Sequence, residues 1–455
     1  MSHVPMTLPE LAIANYTRPF SHTCTYVELD DGRILHCSKR AIDYSSDGGL
    51  TWSETKLMVD VNGDPVGAQE TSLVKLAGRN EVGLAARVNL SVSERPANVK
   101  HAIPHRMGKF VFWRSKDGGA TWQPPIDITP PYLPTAGYQD CFCRTSSGRI
   151  LLPVFFMFGQ HSGPDDRSLP ITGRLVRNQW VSTAGHYFDP TFSCNYVVYS
   201  DDNGETWHMN KDGGIIIMLD WNAHFSISNE ATMTEVAPGR LLMFMRNGLG
   251  RLFQAWSNDN GETWTRPQPT VLASPTAPAQ IRTLPNGHLL CVWNQASEEE
   301  IRAGVNRTRI SSAISRDGGR VWEFFQNVES MYETTRVEPG PIRPVRPEEG
   351  YFPSGQPAAV RDGTFIQQND DFGNWCYPSV LVMKDRVLIA HTYTRYVDHP
   401  TEARLVADES VGYIDRPSGK YICQKIKILP LKWFYGGKEP ADNPFLRTAY
   451  EPAKP

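Results

Sequence analysis

The chain has 455 residues, 11% of them aromatic, with 36 Gly and 35 Pro, a composition suited to many short strands and tight turns. Its net charge of −3 argues against nucleic acid or an anionic membrane surface as the main partner. No apolar run is long enough to span a bilayer, and the eight cysteines (24, 37, 141, 143, 194, 291, 376 and 423) include no Cys-x-x-Cys pair, which argues against a zinc site.

Met1 to Glu10 lack a basic start followed by an apolar stretch. The expectation is a cytoplasmic, reducing compartment with the cysteines as buried free thiols. Six hairpins follow. Thr25–Cys37 turns at Asp31-Gly32, and Ser72–Ala86 turns at Arg79-Asn80. Asp140–Val154 repeats the pattern, and Ala231–Phe244 turns at Pro238-Gly239. Gln280–Trp293 turns at Asn286-Gly287, and Ser379–Thr392 at Lys384-Asp385. Tyr421–Phe434 alternates as a strand, which would close a ring beside the N-terminal strand. Long irregular loops are expected over 89–107, 159–191 and 331–367. No apolar stripe at helical spacing is present, so no helix is expected.

One motif recurs five times, beginning at Ser45, Ser115, Ser200, Ser257 and Ser315. Its pattern is Ser-x-Asp-x-Gly-x-Thr-Trp, with Val321 replacing Thr in the last copy. Ser and Asp side chains bond backbone groups a few residues on and fix a tight turn. The Gly supplies a positive φ, and the Trp buries a large apolar area between neighbouring sheets. An all-strand unit repeated at this period stacks radially. The fold expected is all-β, a six-bladed propeller of about 75 residues per blade, and a single domain over 1–455.

The five copies resemble the Asp-box of the sialidase superfamily, over roughly Tyr16 to Trp433. In that family the boxes mark the fold and take no part in catalysis. Three segments match the family's site. Asn229-Glu230-Ala-Thr-Met-Thr-Glu235 resembles the segment whose Glu is base toward a nucleophilic Tyr. Met243-Phe-Met-Arg246-Asn247 resembles the strand ending in a carboxylate-binding Arg, and Trp375-Cys-Tyr377-Pro-Ser379 resembles the segment holding the nucleophile. Arg307-Thr-Arg309-Ile matches more loosely a second carboxylate-binding Arg, with Arg302 an equal claimant.

The chemistry asks for these residue types. Arg offers two parallel donors to one carboxylate. Sialidases use Tyr as nucleophile in place of a carboxylate. Tyr is weak at its free pKa near 10, so a carboxylate must take its proton. The chain also departs from the family. Its first-strand Arg has no match, because Arg18-Pro19 lies too far ahead of the Asp31-Gly32 turn, and that slot falls near His22. Arg18 stands as a further substrate-binding candidate. Cys37 to Ser45 is too short for the family's acid-bearing loop, leaving His22 and Asp43 as candidates for the acid. Gln139, Asp140 and His224 precede strands at the expected central face.

The resemblance implies a sialidase-like exo-glycosidase that needs no cofactor and acts on an acidic oligosaccharide or glycoconjugate. Nucleic acid and membrane are not expected partners, and a homo-oligomer is compatible with the sequence. A His at the first-strand slot also suits a uronate lyase or a rhamnosidase-type hydrolase on the same propeller. A non-catalytic glycan-binding propeller is the third reading.

Overall fold

The computed structural model describes residues 11–18, 24–89, 108–130, 133, 135–158, 173–176, 179–182, 192–217, 228–302, 307–343, 345, 373–396, 413–415 and 420–439. Among them, six antiparallel sheets form the blades of a β-propeller. Blade I is Thr25–Glu28, Ile34–Ser38, Ala41–Ser45 and Lys56–Leu57, from the inside outward. Blade II is Gln69–Lys75, Val82–Asn89, Gly108–Ser115 and Ile126–Asp127. Blade III opens with two short pieces, Thr135–Ala136 and Cys143–Arg144, followed by Ile150–Phe158, Phe192–Ser200 and His208–Met209. Blade IV is Asn229–Ala237, Arg240–Arg246, Arg251–Ser257 and Gln268–Ala273. Blade V is Ala279–Thr283, Leu289–Asn294, Arg309–Ser315 and Glu323–Ser330.

Blade VI closes the ring. Gly373–Val382, Arg386–Tyr396 and Lys420–Pro430 are joined on the outside by Ala14–Arg18, in the register Ala14↔Ile428 and Arg18↔Gln424. The terminal strands meet as expected, but the last one stops at Pro430. A 3-10 turn over Leu431–Tyr435 follows, ended by Gly436 at φ 75°.

Each repeated turn links the third and fourth strands of blades I to V. In the first, the Gly49 N–H donates to Ser45 Oγ at 2.8 Å, the Thr51 N–H to Asp47 Oδ1 at 2.9 Å, and the Thr51 hydroxyl to Asp47 Oδ2 at 2.5 Å. The glycine of each copy has φ between 88° and 99°. It lies against an apolar side chain of the preceding blade, such as Leu388 for Gly49, Leu35 for Gly119 and Phe112 for Gly204. The indoles follow the same rule, with Trp207 against Phe112 at 5.1 Å and Trp322 against Phe244 at 5.7 Å. The apolar core is accordingly divided into clusters between consecutive blades. One joins Leu35 and Ile42 to Leu84 and Val111, and another joins Ile34 and Tyr26 to Leu388 and Ile426.

Two details differ from the sequence reading. A five-residue helix, Glu298–Arg302, is present, and its start is a capping box. Ser297 Oγ accepts from the Glu300 N–H at 3.1 Å, and Glu300 Oε2 accepts from the Ser297 N–H at 2.7 Å. Within 159–191 a short hairpin pairs Gly173–Val176 with Gln179–Ser182. All eight cysteines are free and buried.

Candidate functional site

The innermost strands surround the propeller axis, and polar side chains lock them together. Asp140, at φ 55°, is the centre of this lock. Its Oδ1 accepts from Thr25 of blade I at 2.9 Å. Its Oδ2 accepts from Arg282 of blade V at 2.8 Å and from the Val380 N–H of blade VI at 2.9 Å. Gln139 donates to the Tyr377 carbonyl at 2.9 Å, and Gln280 donates to the Gln139 carbonyl at 3.1 Å. The backbone is engaged as well, the Asp140 N–H donating to the Thr71 carbonyl of blade II at 3.0 Å and the Cys141 N–H to Ser72 Oγ at 3.0 Å, and the first strand of blade III is broken in two there. Gln139 and Asp140 therefore hold the floor beneath the candidate site.

Above that floor three inner strands carry the same irregularity. The register slips between Gln69 and Ser72, between Asn229 and Thr232, and between Cys376 and Ser379. In each the second residue has a positive φ: 55° at Glu70, 37° at Glu230 and 56° at Tyr377. A β-bulge bends the strand and re-aims one side chain. Non-glycine residues at positive φ persist only where the surroundings enforce them, and they cluster at functional sites.

Glu230 and Tyr377 meet across the axis. The Tyr377 hydroxyl donates to Glu230 Oε1 at 3.3 Å. Arg246 Nη1 donates to the Tyr377 oxygen at 3.3 Å and to Glu230 Oε2. Arg246 is only 2% exposed and sits cross-strand from Asn229. Arg307 lies over the Tyr377 ring, its Cζ 5.3 Å from the centroid, and contacts Cys376 Sγ at 3.2 Å. Tyr138 packs against the same ring at 5.8 Å and donates to the Pro378 carbonyl at 2.6 Å. Burial and the Glu230 charge push the Tyr377 phenol up to about 12, while Arg246 and Arg307 pull the other way. The phenol is therefore neutral at rest, with a carboxylate at hand to take its proton.

The other candidates are placed elsewhere. Arg309 is held bidentately by Glu300, at 3.0 and 3.1 Å, and stacks on Tyr332 at 4.6 Å. Arg302 pairs with Glu298 along the short helix at 2.9 Å. Arg18 and Asp43 form an ion pair with each other where blade VI meets blade I. His36 Nδ1 adds a contact to Asp43 at 3.0 Å, Thr55 donates to it at 3.2 Å, and Arg18 covers Trp52 at 4.3 Å. The Asp43 side chain has no solvent exposure. His22 and His224 lie outside the described residues.

Sequence reasoning passed over one pair at the axis, Glu70 and Arg87. Arg87 Nε donates to Glu70 Oε2 at 2.8 Å, and the Gly137 N–H donates to the same oxygen at 2.8 Å. The signal was present in Gln69-Glu70-Thr71-Ser72, which parallels Asn229-Glu230-Ala231-Thr232.

A family model described as the BNR repeat-like domain matches residues 42–389. A sialidase of Bacteroides fragilis is 24% identical over 295 residues, covering 61% of this chain and 47% of that protein. A sialidase of Micromonospora viridifaciens is 25% identical over 242 residues, covering 50% of this chain and 31% of that protein. The matched region thus spans less than half the length of either relative. A crystal structure of a protein of unknown function from Dyadobacter fermentans superposes with a TM-score of 0.53 at 17% identity, covering 92% of this chain and 98% of that one. The propeller, its repeated turns and the family match agree: the chain belongs to the BNR repeat-like domain family, within the sialidase superfamily.

Proposed function

We propose that the protein is a sialidase-like glycoside hydrolase that removes a terminal acidic sugar from an oligosaccharide or glycoconjugate. The observation that carries this reading is the Tyr377 hydroxyl within 3.3 Å of both Glu230 Oε1 and Arg246 Nη1. Tyr377 attacks the anomeric carbon as Glu230 takes its proton, because a phenol this weak reacts only when deprotonated as the bond forms. A neutral nucleophile also avoids repulsion by the substrate's own carboxylate. Arg307 and Arg246 supply the positive charge that holds that carboxylate. The two curated relatives named sialidases add support of the same kind.

The test is Tyr377→Phe, assayed on 4-nitrophenyl glycosides of N-acetylneuraminic acid and of glucuronic acid. The expected result is lost turnover with ligand binding nearly intact by calorimetry. Undiminished turnover would remove Tyr377 from the mechanism. An ultraviolet-absorbing unsaturated product from uronate polysaccharides would replace hydrolysis by elimination. Binding by the wild-type protein without turnover would make it a glycan-binding propeller.

A further inference from the structure

We propose that Glu70 is the proton donor to the leaving group, an assignment that rests on the glycosidase reading above. Its basis is a construction that occurs twice. The bulges at Glu70 and Glu230 span the same three-residue step, from Gln69 to Ser72 and from Asn229 to Thr232. The residue opposite the first bulge position is an arginine in both, Arg87 across from Gln69 and Arg246 across from Asn229. Each arginine pairs with the carboxylate its own bulge presents. Blades II and IV therefore offer the axis one Glu–Arg unit each, and blade VI offers Tyr377.

The two units are not equivalent. Glu230 is bonded to Tyr377 and Arg246, which suits a carboxylate that receives a proton. Glu70 takes both its bonds, from Arg87 and from the Gly137 N–H, on Oε2. A proton on Glu70 is then carried by Oε1. Burial raises its pKa, and the nearby Glu230 charge adds to that, against the pull of Arg87. A carboxyl with a raised pKa is the one suited to give up a proton as an acid.

Elimination points the same way. Among the described carboxylates at the axis, Asp140 is engaged by Thr25, Arg282 and the Val380 amide, and Glu230 serves Tyr377. Asp43, the acid candidate nearest in sequence to the first turn, is sealed between Arg18 and His36 with no exposure. Glu70 keeps 22% of its side chain exposed.

In the first step the Tyr377 oxygen bonds to the anomeric carbon and its proton passes to Glu230. The glycosidic C–O bond breaks and its electron pair takes the Glu70 proton, so the leaving group departs as an alcohol. In the second step water attacks the anomeric carbon and gives its proton to the Glu70 carboxylate. The Tyr377 oxygen leaves with the electron pair and recovers its proton from Glu230.

The experiment compares wild type and Glu70→Gln on methyl and 4-nitrophenyl glycosides of N-acetylneuraminic acid and glucuronic acid. A methoxide leaving group needs the proton and a nitrophenolate scarcely does. We expect kcat/KM on the cleaved methyl glycoside to fall about 10²- to 10⁴-fold, and far less on its nitrophenyl partner. The alkaline limb of the wild-type pH profile should vanish in the variant, because an acid must be protonated to act. The isosteric variant, which keeps an oxygen for Arg87 and the Gly137 N–H, should still unfold in a single cooperative thermal transition. Equal losses on both leaving groups, or full activity on the methyl glycoside, would overturn the assignment while leaving the glycosidase reading intact. Failure of the wild-type protein to cleave any of the four would overturn both.

Discussion

Val321 shows how much one hydroxyl contributes to the repeated turn. In four copies the Thr hydroxyl donates to the second Asp oxygen at 2.5 to 2.6 Å. In the fifth, Val321 keeps the backbone bond to Asp317 Oδ1 at 2.9 Å, but Asp317 Oδ2 is buried with no hydrogen-bond partner. An unmet buried acceptor is destabilising. Val321 is half exposed, so a Thr of similar shape fits there. Val321→Thr should stabilise the protein by about 0.5–1.5 kcal/mol, read as a rise in thermal midpoint. A fall would show that the turn's network is not what holds Asp317.

At the scale of the element, turn and blade are one design. The turn carboxylates are hydrogen-bonded in their charged form. Bonds from Thr51 hold Asp47 down at about 2. Asp117, Asp202 and Asp259 are also lowered, burial being outweighed by their Thr partners. A depressed folded pKa gives stability that is present above the unfolded value near 4 and lost as pH falls toward 2. Acid titration of the unfolding midpoint should therefore show a progressive drop below about pH 4, and a flat profile there would contradict these bonds. The glycine belongs to the same device. At Gly204, φ is 88° and a Cβ would sit 2.6 Å from the Phe112 ring of the preceding blade. Gly204→Ala should cost more than about 2 kcal/mol, from strain and overpacking together. Denaturant unfolding would measure it, and a neutral result would mean the blades are looser than this contact implies.

On the scale of the whole molecule, closure matters most. The ring is completed by only five residues, Ala14–Arg18. They are tied to blade I as well as to blade VI. The Tyr16 hydroxyl donates to the Gly49 carbonyl and accepts from Trp52 Nε1 at 2.7 Å, and Arg18 pairs with the sealed Asp43. Removing one partner of a buried pair strands the other charge. Arg18→Met should destabilise the fold by about 3–5 kcal/mol, measured by equilibrium unfolding. An unchanged midpoint would leave Arg18 without the structural role its contacts assign it. The same ring brings Glu230 and Tyr377, 147 positions apart in the chain, to one point on the axis.

The sequence by itself determined the propeller and its hairpins, while Glu230, Arg246 and Tyr377 were singled out by family resemblance and brought together only in the structure. Those signals are local: a turn needs its Ser, Asp and Gly within five residues, and a strand shows its alternation over its own length. Only the tertiary structure decided which carboxylates face one another. Glu70 shares a four-residue pattern with Glu230, but the bulge that aims it exists only in the register against Arg87 on the next strand. Asp43 looked available until Arg18 and His36 enclosed it, and Gln139 and Asp140 became floor because four other blades reach them. Such roles depend on what crosses the axis from distant segments, and residue order alone does not encode that proximity in readable form.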